Sequence, residues 1–240
     1  MKRPAIRRPT AGVTLMELLI AVTLLSLLSV GLMFALRIGL SAYSKTQTRL
    51  MDNRRVAGAQ RILEQELEGL LPVVAQCGAG AEGGGTPAAF FQGEPEVMRL
   101  VSTFSLQGAW RGQPQILEIF VIPGAESGVR LVVNEIPYRG PLAAGQFCFG
   151  PHKFSSASAG PDSFVLADKL AFCRFTYLEQ PPDVNSPQQW VSRFAGDDWP
   201  RAVRIEMAPL VPDASRLQPI SVVAPIHIFR RPEIHYVDLR

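Results

Sequence analysis

The chain has 240 residues, of which 47% are hydrophobic and 19% charged, and its formal net charge is +3. Four of the 24 Lys and Arg residues lie in the first 12 positions, so the remainder holds 20 basic against 21 acidic residues. This nearly neutral balance gives no sign of the basic surface that nucleic-acid binding requires, and we expect no nucleic-acid partner.

A long apolar segment begins close to the N-terminus. Residues 18–36 carry no charge, and a bilayer core of about 30 Å needs about 20 helical residues. We therefore predict one transmembrane helix over 13–36, with a buried core helix of a soluble protein as the alternative interpretation. The basic residues that precede the segment predict a cytoplasmic N-terminus and a C-terminal domain across the membrane.

One acidic residue, Glu17, lies at the start of this segment. Inserting an ionised side chain at the bilayer centre costs about 2.5–3.5 kcal/mol. Glu17 is therefore expected either to pair with a positive charge or to extend to the lipid headgroups. The residues around it form a short basic leader that ends in Gly12 and is followed by Val13, Thr14, Leu15, Met16 and Glu17.

This arrangement resembles the signal of type IV prepilin-like proteins. The resemblance implies a leader over 1–12 that a prepilin peptidase removes between Gly12 and Val13, and it implies N-methylation of Val13. It also implies that Glu17 acts in filament assembly by pairing with the N-terminal amine of a neighbouring subunit. Such pairing makes two charges tolerable that are each unfavourable in the membrane alone.

The helix is predicted to continue beyond the membrane to residue 71. No proline occurs between residues 14 and 71, and a mostly apolar stripe recurs at three- and four-residue spacing at Val56, Gln60, Leu63, Leu67 and Leu70. This pattern predicts an amphipathic helix over 37–71 that packs on a globular domain. The Gly-rich residues that follow predict a flexible connector over 72–96.

From residue 97 onward the sequence is typical of a β-rich domain, which we assign to 97–240. Alternating or short apolar runs separated by Pro and Gly predict strands over 97–106, 116–122, 130–136, 146–149, 166–177, 202–207, 220–223 and 226–229. In the first run, Arg99 falls on the polar side. The predicted fold is α+β and pilin-like, with a long N-terminal helix packed on an antiparallel β-rich domain.

Three cysteines occur in the chain, and their thiols can oxidise if the domain lies outside the inner membrane. Cys148 and Cys173 lie in strand-like apolar runs, whereas Cys77 lies in the Gly-rich connector. Cys148 and Cys173 are therefore the candidate disulfide, with Cys77 left over. The alternative, that both are separate small core residues, stays open.

No catalytic, cofactor-binding or metal-binding motif is found in the sequence. The three histidines stand apart in sequence, and the pair Asp197 and Asp198 is expected to form a solvated loop, because calcium requires six to eight oxygen ligands. We therefore predict a protein that is not an enzyme and has no cofactor. A membrane-anchored periplasmic enzyme or binding domain is the alternative from a different class.

Two later segments are similar to a narrower family. A strand that ends in Tyr177 is followed by a loop with Trp190 and by the run 199–206, and this order resembles minor pseudopilin J of type II secretion systems; the run 61–67 resembles it too. The resemblance implies a subunit that initiates or caps a periplasmic filament, with I- and K-like minor pseudopilins as partners and an inner-membrane anchor. A minor type IV pilin for adhesion, motility or DNA uptake is the alternative.

Overall fold

The computed structural model describes residues 12–78, 84–105, 111–125, 127–180, 187–210 and 220–227. The chain divides into two compact units, Met1–Met51 and Asp52–Arg240. Within the described ranges the chain forms two helices and twelve strands.

The described residues of the first unit, 12–51, are helical from Leu15 onward, and the same helix continues into the second unit. Helix α1 spans Leu15–Glu68 and contains the segment Leu15–Gln47, which is 33 residues long and whose most apolar window has a mean hydropathy of 2.5. Length and composition suffice for one membrane crossing, and no other described helix meets both conditions. The most apolar window of this segment is 0% buried inside the protein, which argues against the alternative of a soluble core helix.

The polar residues of the apolar segment satisfy their hydroxyl groups within the helix. Thr23 donates to the carbonyl oxygen of Ile20 at 2.8 Å, and Ser26 donates to that of Thr23 at 2.8 Å. Ser29 donates to the carbonyl of Leu25 at the same distance. Because each hydroxyl is bonded to the preceding turn, none of the three has to be desolvated unpaired in lipid.

The second unit is built around antiparallel strands. In chain order they are β1 (Val74–Cys77), β2 (Thr86–Ala89), β3 (Gln92–Gly93), β4 (Val97–Phe104), β5 (Arg111–Pro123), β6 (Val129–Pro137), β7 (Cys148–Gly150), β8 (Lys153–Phe154), β9 (Phe164–Leu178), β10 (Trp190–Val191), β11 (Ala202–Pro209) and β12 (Ile220–Pro225). A short helix, α2 (Pro141–Gly145), lies between β6 and β7 in the chain.

Eight of the strands form one sheet in the order β12-β11-β9-β6-β5-β4-β3, with β10 paired to β9. Strands β1 and β2 form a separate pair, as do β7 and β8. All described pairings are antiparallel. A long apolar helix followed by an antiparallel β-rich domain is the α+β class that the sequence predicts.

One face of the sheet packs on the last turns of α1 and on Leu70, which follows the helix. Leu63, Leu67 and Leu70 are buried there together with residues of the central strands, among them Leu100 and Leu117. The last three residues of the apolar stripe that the sequence predicts are therefore buried. Burial of each such leucine contributes about 1.5–3 kcal/mol.

The opposite face of β4 and β5 packs on a second apolar layer. Val101 and Ile116, which adjoin Leu100 and Leu117 in the chain, point into this layer because successive strand residues face opposite sides. The layer is contributed by β1, α2 and β7, and its buried residues include Ala75, Ala144 and Cys148. The sheet is thus covered on both faces in this region.

The segment 72–96, predicted to be a flexible connector, contains strands β1, β2 and β3. Its residues Phe90 and Phe91 are 0% and 3% exposed, one in each apolar layer. Gly93 in β3 lets the segment around Phe194 come close, since a Cβ on Gly93 would lie 2.8 Å from the Cβ of Phe194. The prediction of a flexible connector was therefore wrong for the described part, because it was made from the glycines and did not consider the two buried aromatic residues. Residues 79–83 lie outside the described ranges.

Two further expectations differ from the structure. Arg99, placed on the polar side of β4 by alternation, is 0% exposed because that face carries the second apolar layer. The run 226–229 was predicted to be a strand, but Ile226 and His227 follow β12 without belonging to a strand. The rest of that run lies outside the described residues.

Candidate functional site

The predicted cleavage site lies in non-helical chain just before α1. Residues 12–14 precede the helix, which begins at Leu15. Val13 is 72% exposed, and a Cβ built on Gly12 would have no neighbour within 4 Å. The peptide bond between Gly12 and Val13 is therefore open to an approaching peptidase, as exposed non-helical segments generally are.

Thr14 caps the start of α1 and thereby fixes the position of Glu17. The backbone N–H of Glu17 donates to the Thr14 carbonyl at 3.1 Å and to the Thr14 hydroxyl at 3.3 Å. Leu18 N–H donates to the same carbonyl at 3.2 Å. Threonine is a favoured N-cap residue because its hydroxyl satisfies a backbone donor that has no partner within the helix.

Glu17 therefore lies in the first helical turn, where the positive end of the helix dipole favours an acidic side chain. The structure brings Gly12, Val13 and Glu17 into one exposed stretch at the head of the apolar helix. Cleavage after Gly12 would create an amine on Val13, only four positions before this carboxylate. The motif thus places both members of the predicted charge pair at the same end of the helix.

An exposed apolar helix headed by this motif and followed by an antiparallel β-rich domain is a pilin-like α+β arrangement. A family profile described as the prokaryotic N-terminal methylation motif matches residues 7–33, a range that includes Gly12, Val13 and Glu17. No match to the chain was found among curated proteins. The motif indicates a type IV pilin- or pseudopilin-like protein, and it implies peptidase processing and assembly with other pilins.

The structure contains a disulfide between Cys77 and Cys148, with Cα atoms 4.9 Å apart. The predicted pairing of Cys148 with Cys173 was therefore wrong. The reason lies in the two faces of the sheet: Cys148 is buried in the layer with β1 and α2, whereas Cys173 is buried in the layer that faces α1. Two cysteines on opposite faces of a covered sheet cannot form a bond without unfolding it.

Cys173 remains a free thiol, 2% exposed, in the layer beneath α1. Burial, together with the nearby negative charge of Glu96, raises the pKa of Cys173 to about 12. Because the thiolate is the reactive form, this cysteine is inert at neutral pH and behaves as a core residue. For Cys173, the structure confirms the alternative interpretation, that it is a separate small core residue.

A buried ionic cluster lies where β4 and β5 meet the second apolar layer. Arg99 donates from Nε to Glu118 Oε1 at 2.9 Å and from Nη1 to Gln92 Oε1 at 2.7 Å. It also donates from Nη2 to the carbonyl of Ser155 at 3.1 Å. Glu118 Oε2 accepts a further bond from Asn134 at 2.8 Å. The cluster is thus hydrogen-bonded on all sides, as a buried charge pair must be.

Two aromatic rings complete the surroundings of Arg99. Its guanidinium lies 5.6 Å from the ring centroid of Phe147 and 5.5 Å from that of Phe154. Both rings belong to the segment around β7 and β8, which also supplies the Ser155 carbonyl. Arg99 therefore joins this segment to the sheet through hydrogen bonds and cation–π contacts together.

Cys77 and Arg99 were not predicted to be structural anchors. Cys77 ends the short strand β1, whose residues alternate between half-buried and buried, but the run Val74–Cys77 shows no matching alternation of polar and apolar residues. Arg99 offers no signal either, because its burial depends on chain segments more than 50 residues away. Within the described ranges, no three His, Cys, Asp or Glu side chains come together in a way that would hold a metal ion.

Proposed function

We propose that this protein is a minor pseudopilin of a type II secretion system, similar to the J subunit, which initiates or caps the pseudopilus during protein export. The observation that carries the proposal is the exposed bond between Gly12 and Val13, placed directly before a capped apolar helix with Glu17 in its first turn. An ordinary membrane anchor needs no acidic residue there, whereas a filament subunit uses it to recruit its neighbour.

The proposed location is the inner membrane, crossed once, with the C-terminal domain in the periplasm. The four cations of the leader favour retention of the N-terminus in the cytoplasm. The disulfide between Cys77 and Cys148 supports the periplasmic side for the domain, because disulfides persist in oxidising compartments and are rare in the cytosol.

Glu17 is proposed to pair with the methylated amine of Val13 on a neighbouring subunit. Its side chain is exposed on α1, and its own backbone N–H is already bonded to Thr14. Pairing across subunits removes two uncompensated charges from the lipid at once, so lateral entry into the filament becomes favourable. The proposal therefore gives Glu17 an assembly role and assigns the protein no catalytic residue.

The assignment to the J-like class rests on the resemblance of the runs 166–177 and 199–206. The first run lies in β9 and residues 202–206 of the second lie in the neighbouring strand β11, where Tyr177 opposes Val203. Tyr177 is fully buried and donates its hydroxyl hydrogen to the carbonyl of Glu94 at 2.9 Å. The resembling residues thus form one continuous part of the sheet, which supports comparing them as a unit.

The test is assembly and export in the native host. The full chain should copurify from detergent-solubilised membranes with I- and K-like minor pseudopilins, and deletion of its gene should stop protein export. A Glu17→Ala variant should lose this copurification, whereas Glu64→Ala, in the outer part of α1, should retain it. Loss of twitching or DNA uptake with intact export would favour a minor type IV pilin, and substrate turnover would favour the enzyme alternative.

A further inference from the structure

Glu66 is a buried carboxyl group near the end of α1. Its side chain is 1% exposed, whereas Glu68 in the same turn is exposed. Neither carboxyl oxygen of Glu66 has a hydrogen-bond partner among the described residues. An ionised carboxylate here would lose its hydration without compensation, so close packing of the helix end favours the neutral acid.

Two side chains of the sheet act on Glu66, Ser102 from β4 and Glu135 from β6. Neither of these described residues carries a positive charge. The pKa of Glu66 is raised from 4.5 to about 8: burial is the largest cause, the Ser102 hydroxyl on β4 offsets part of it, and the carboxylate of Glu135 on β6 adds to it. Ser102 Oγ accepts from the Phe104 N–H at 3.1 Å, and Glu135 accepts from the Ser105 hydroxyl at 3.1 Å. The bond to Phe104 uses only the oxygen of Ser102, so its hydroxyl hydrogen can still give an ionised Glu66 the partial stabilisation just described, whereas Glu135 is a like charge.

The chain leaves α1 at this point and is bonded directly to β4. The carbonyl of Gly69 accepts from the Thr103 N–H at 2.8 Å, and the Leu71 N–H donates to the Val101 carbonyl at 2.8 Å. A Cβ on Gly69 would lie 2.8 Å from Ser102 Oγ, so helix end and strand are in close contact. A charge on Glu66 would therefore act on the junction that attaches the helix to the sheet.

We propose that Glu66 is a proton-binding site that controls this junction: the neutral acid lets the last turn of α1 close on β4, and loss of the proton loosens residues 69–71 from 101–103. The inference is independent of the proposed function, because it concerns the second unit alone. The ligand is the proton, and the site responds to the pH of the compartment that the domain occupies.

The direction of the pH effect follows from linkage. In the unfolded chain Glu66 ionises at its ordinary pKa of 4.5, and in the folded chain at about 8. Between these values the folded state binds one proton more, so rising pH lowers the folding equilibrium constant about tenfold per unit. Above about pH 8 and below about pH 4.5 this contribution no longer changes.

The experiment uses the full chain in a non-ionic detergent. Urea unfolding from about pH 5.5 to about pH 9.5 is compared for wild type, Glu66→Gln and Glu64→Gln. Relative to Glu66→Gln, wild type should lose about tenfold in folding constant per pH unit until about pH 8. Glu64→Gln is the matched control in the same helix and should keep the wild-type slope. Equal slopes for wild type and Glu66→Gln would overturn the proposal.

A second measurement covers the case in which Glu66→Gln fails to fold. The infrared band of a protonated carboxylic acid should be present in wild type near neutral pH and vanish at alkaline pH, and Glu135→Gln should move this loss to lower pH by removing the repulsion. Absence of the band at neutral pH would refute a neutral Glu66. Restoration of alkaline stability by millimolar calcium or magnesium would also refute it, because it would identify a carboxylate pair that binds a cation.

Discussion

Arg99→Met is expected to destabilise the second unit strongly, although it replaces a charge by an apolar side chain of similar length. Arg99 is 0% exposed, and Glu118, its partner, has a side chain that is 7% exposed. The substitution leaves Glu118 as a buried charge without its cation and removes the bond to Ser155. Breaking a buried ion pair from one side costs about 3–5 kcal/mol.

The measurement is the free energy of unfolding in urea, taken on the full chain in detergent with Trp199, which is buried in the core, contributing to the fluorescence signal. The matched control is Arg130→Met, since the pair Arg130–Asp168 is 2.8 Å long but its side chains are 30% and 38% exposed. Surface pairs of this kind contribute about 0.2–1 kcal/mol.

A double variant separates loss of the pair from loss of shape. Arg99→Met combined with Glu118→Leu removes both charges, and it should recover much of the stability that Arg99→Met alone loses, because no uncompensated charge remains. If Arg99→Met costs no more than Arg130→Met, the buried cluster does not hold the segment around β7 and β8 to the sheet, and the reasoning fails.

Three further outcomes are expected. Replacing Cys77 and Cys148 together by serine should lower stability by about 2–4 kcal/mol, since the bond closes a loop between residues 71 positions apart; unchanged urea midpoints would contradict this. Cys173 should resist alkylation in the folded protein and react once it is unfolded, as mass spectrometry would detect; rapid labelling of the native state would argue against burial. Glu17→Ala should insert into membranes as well as wild type but crosslink less to neighbouring subunits, and unchanged crosslinking would make Glu17 a passive residue.

The parts of the fold that the sequence predicted are those governed by local pattern. The apolar run at 18–36 identifies the helix by composition, and the spacing of Leu63, Leu67 and Leu70 identifies the buried stripe of its outer part. Strands β9 and β11 were also predictable, because apolar and polar residues alternate over 173–177 and over 203–207. Each of these signals depends only on residues within a few turns or strand positions.

The parts that were missed depend on which face of the sheet a residue occupies. Alternation predicts that Arg99 and Leu100 lie on opposite faces of β4. The face that carries Arg99 is buried only because β1, α2 and β7 pack against it. The cysteine pairing also depends on the face of the sheet. Cys148 and Cys173 both lie in strand-like sequence, and only the topology shows that the sheet separates them. The burial of Glu66 was not predicted, because a charged residue in a helix is normally exposed to solvent.

The intact mass of the protein extracted from membranes that contain a prepilin peptidase decides whether the chain is prepilin-like. We expect a chain that begins at Val13, lacks residues 1–12 and carries one additional methyl group on its N-terminus. A Gly12→Val variant, which alters the residue before the bond, should keep the full mass. An unprocessed wild-type N-terminus, or a cut beyond residue 36, would contradict the prepilin-like assignment.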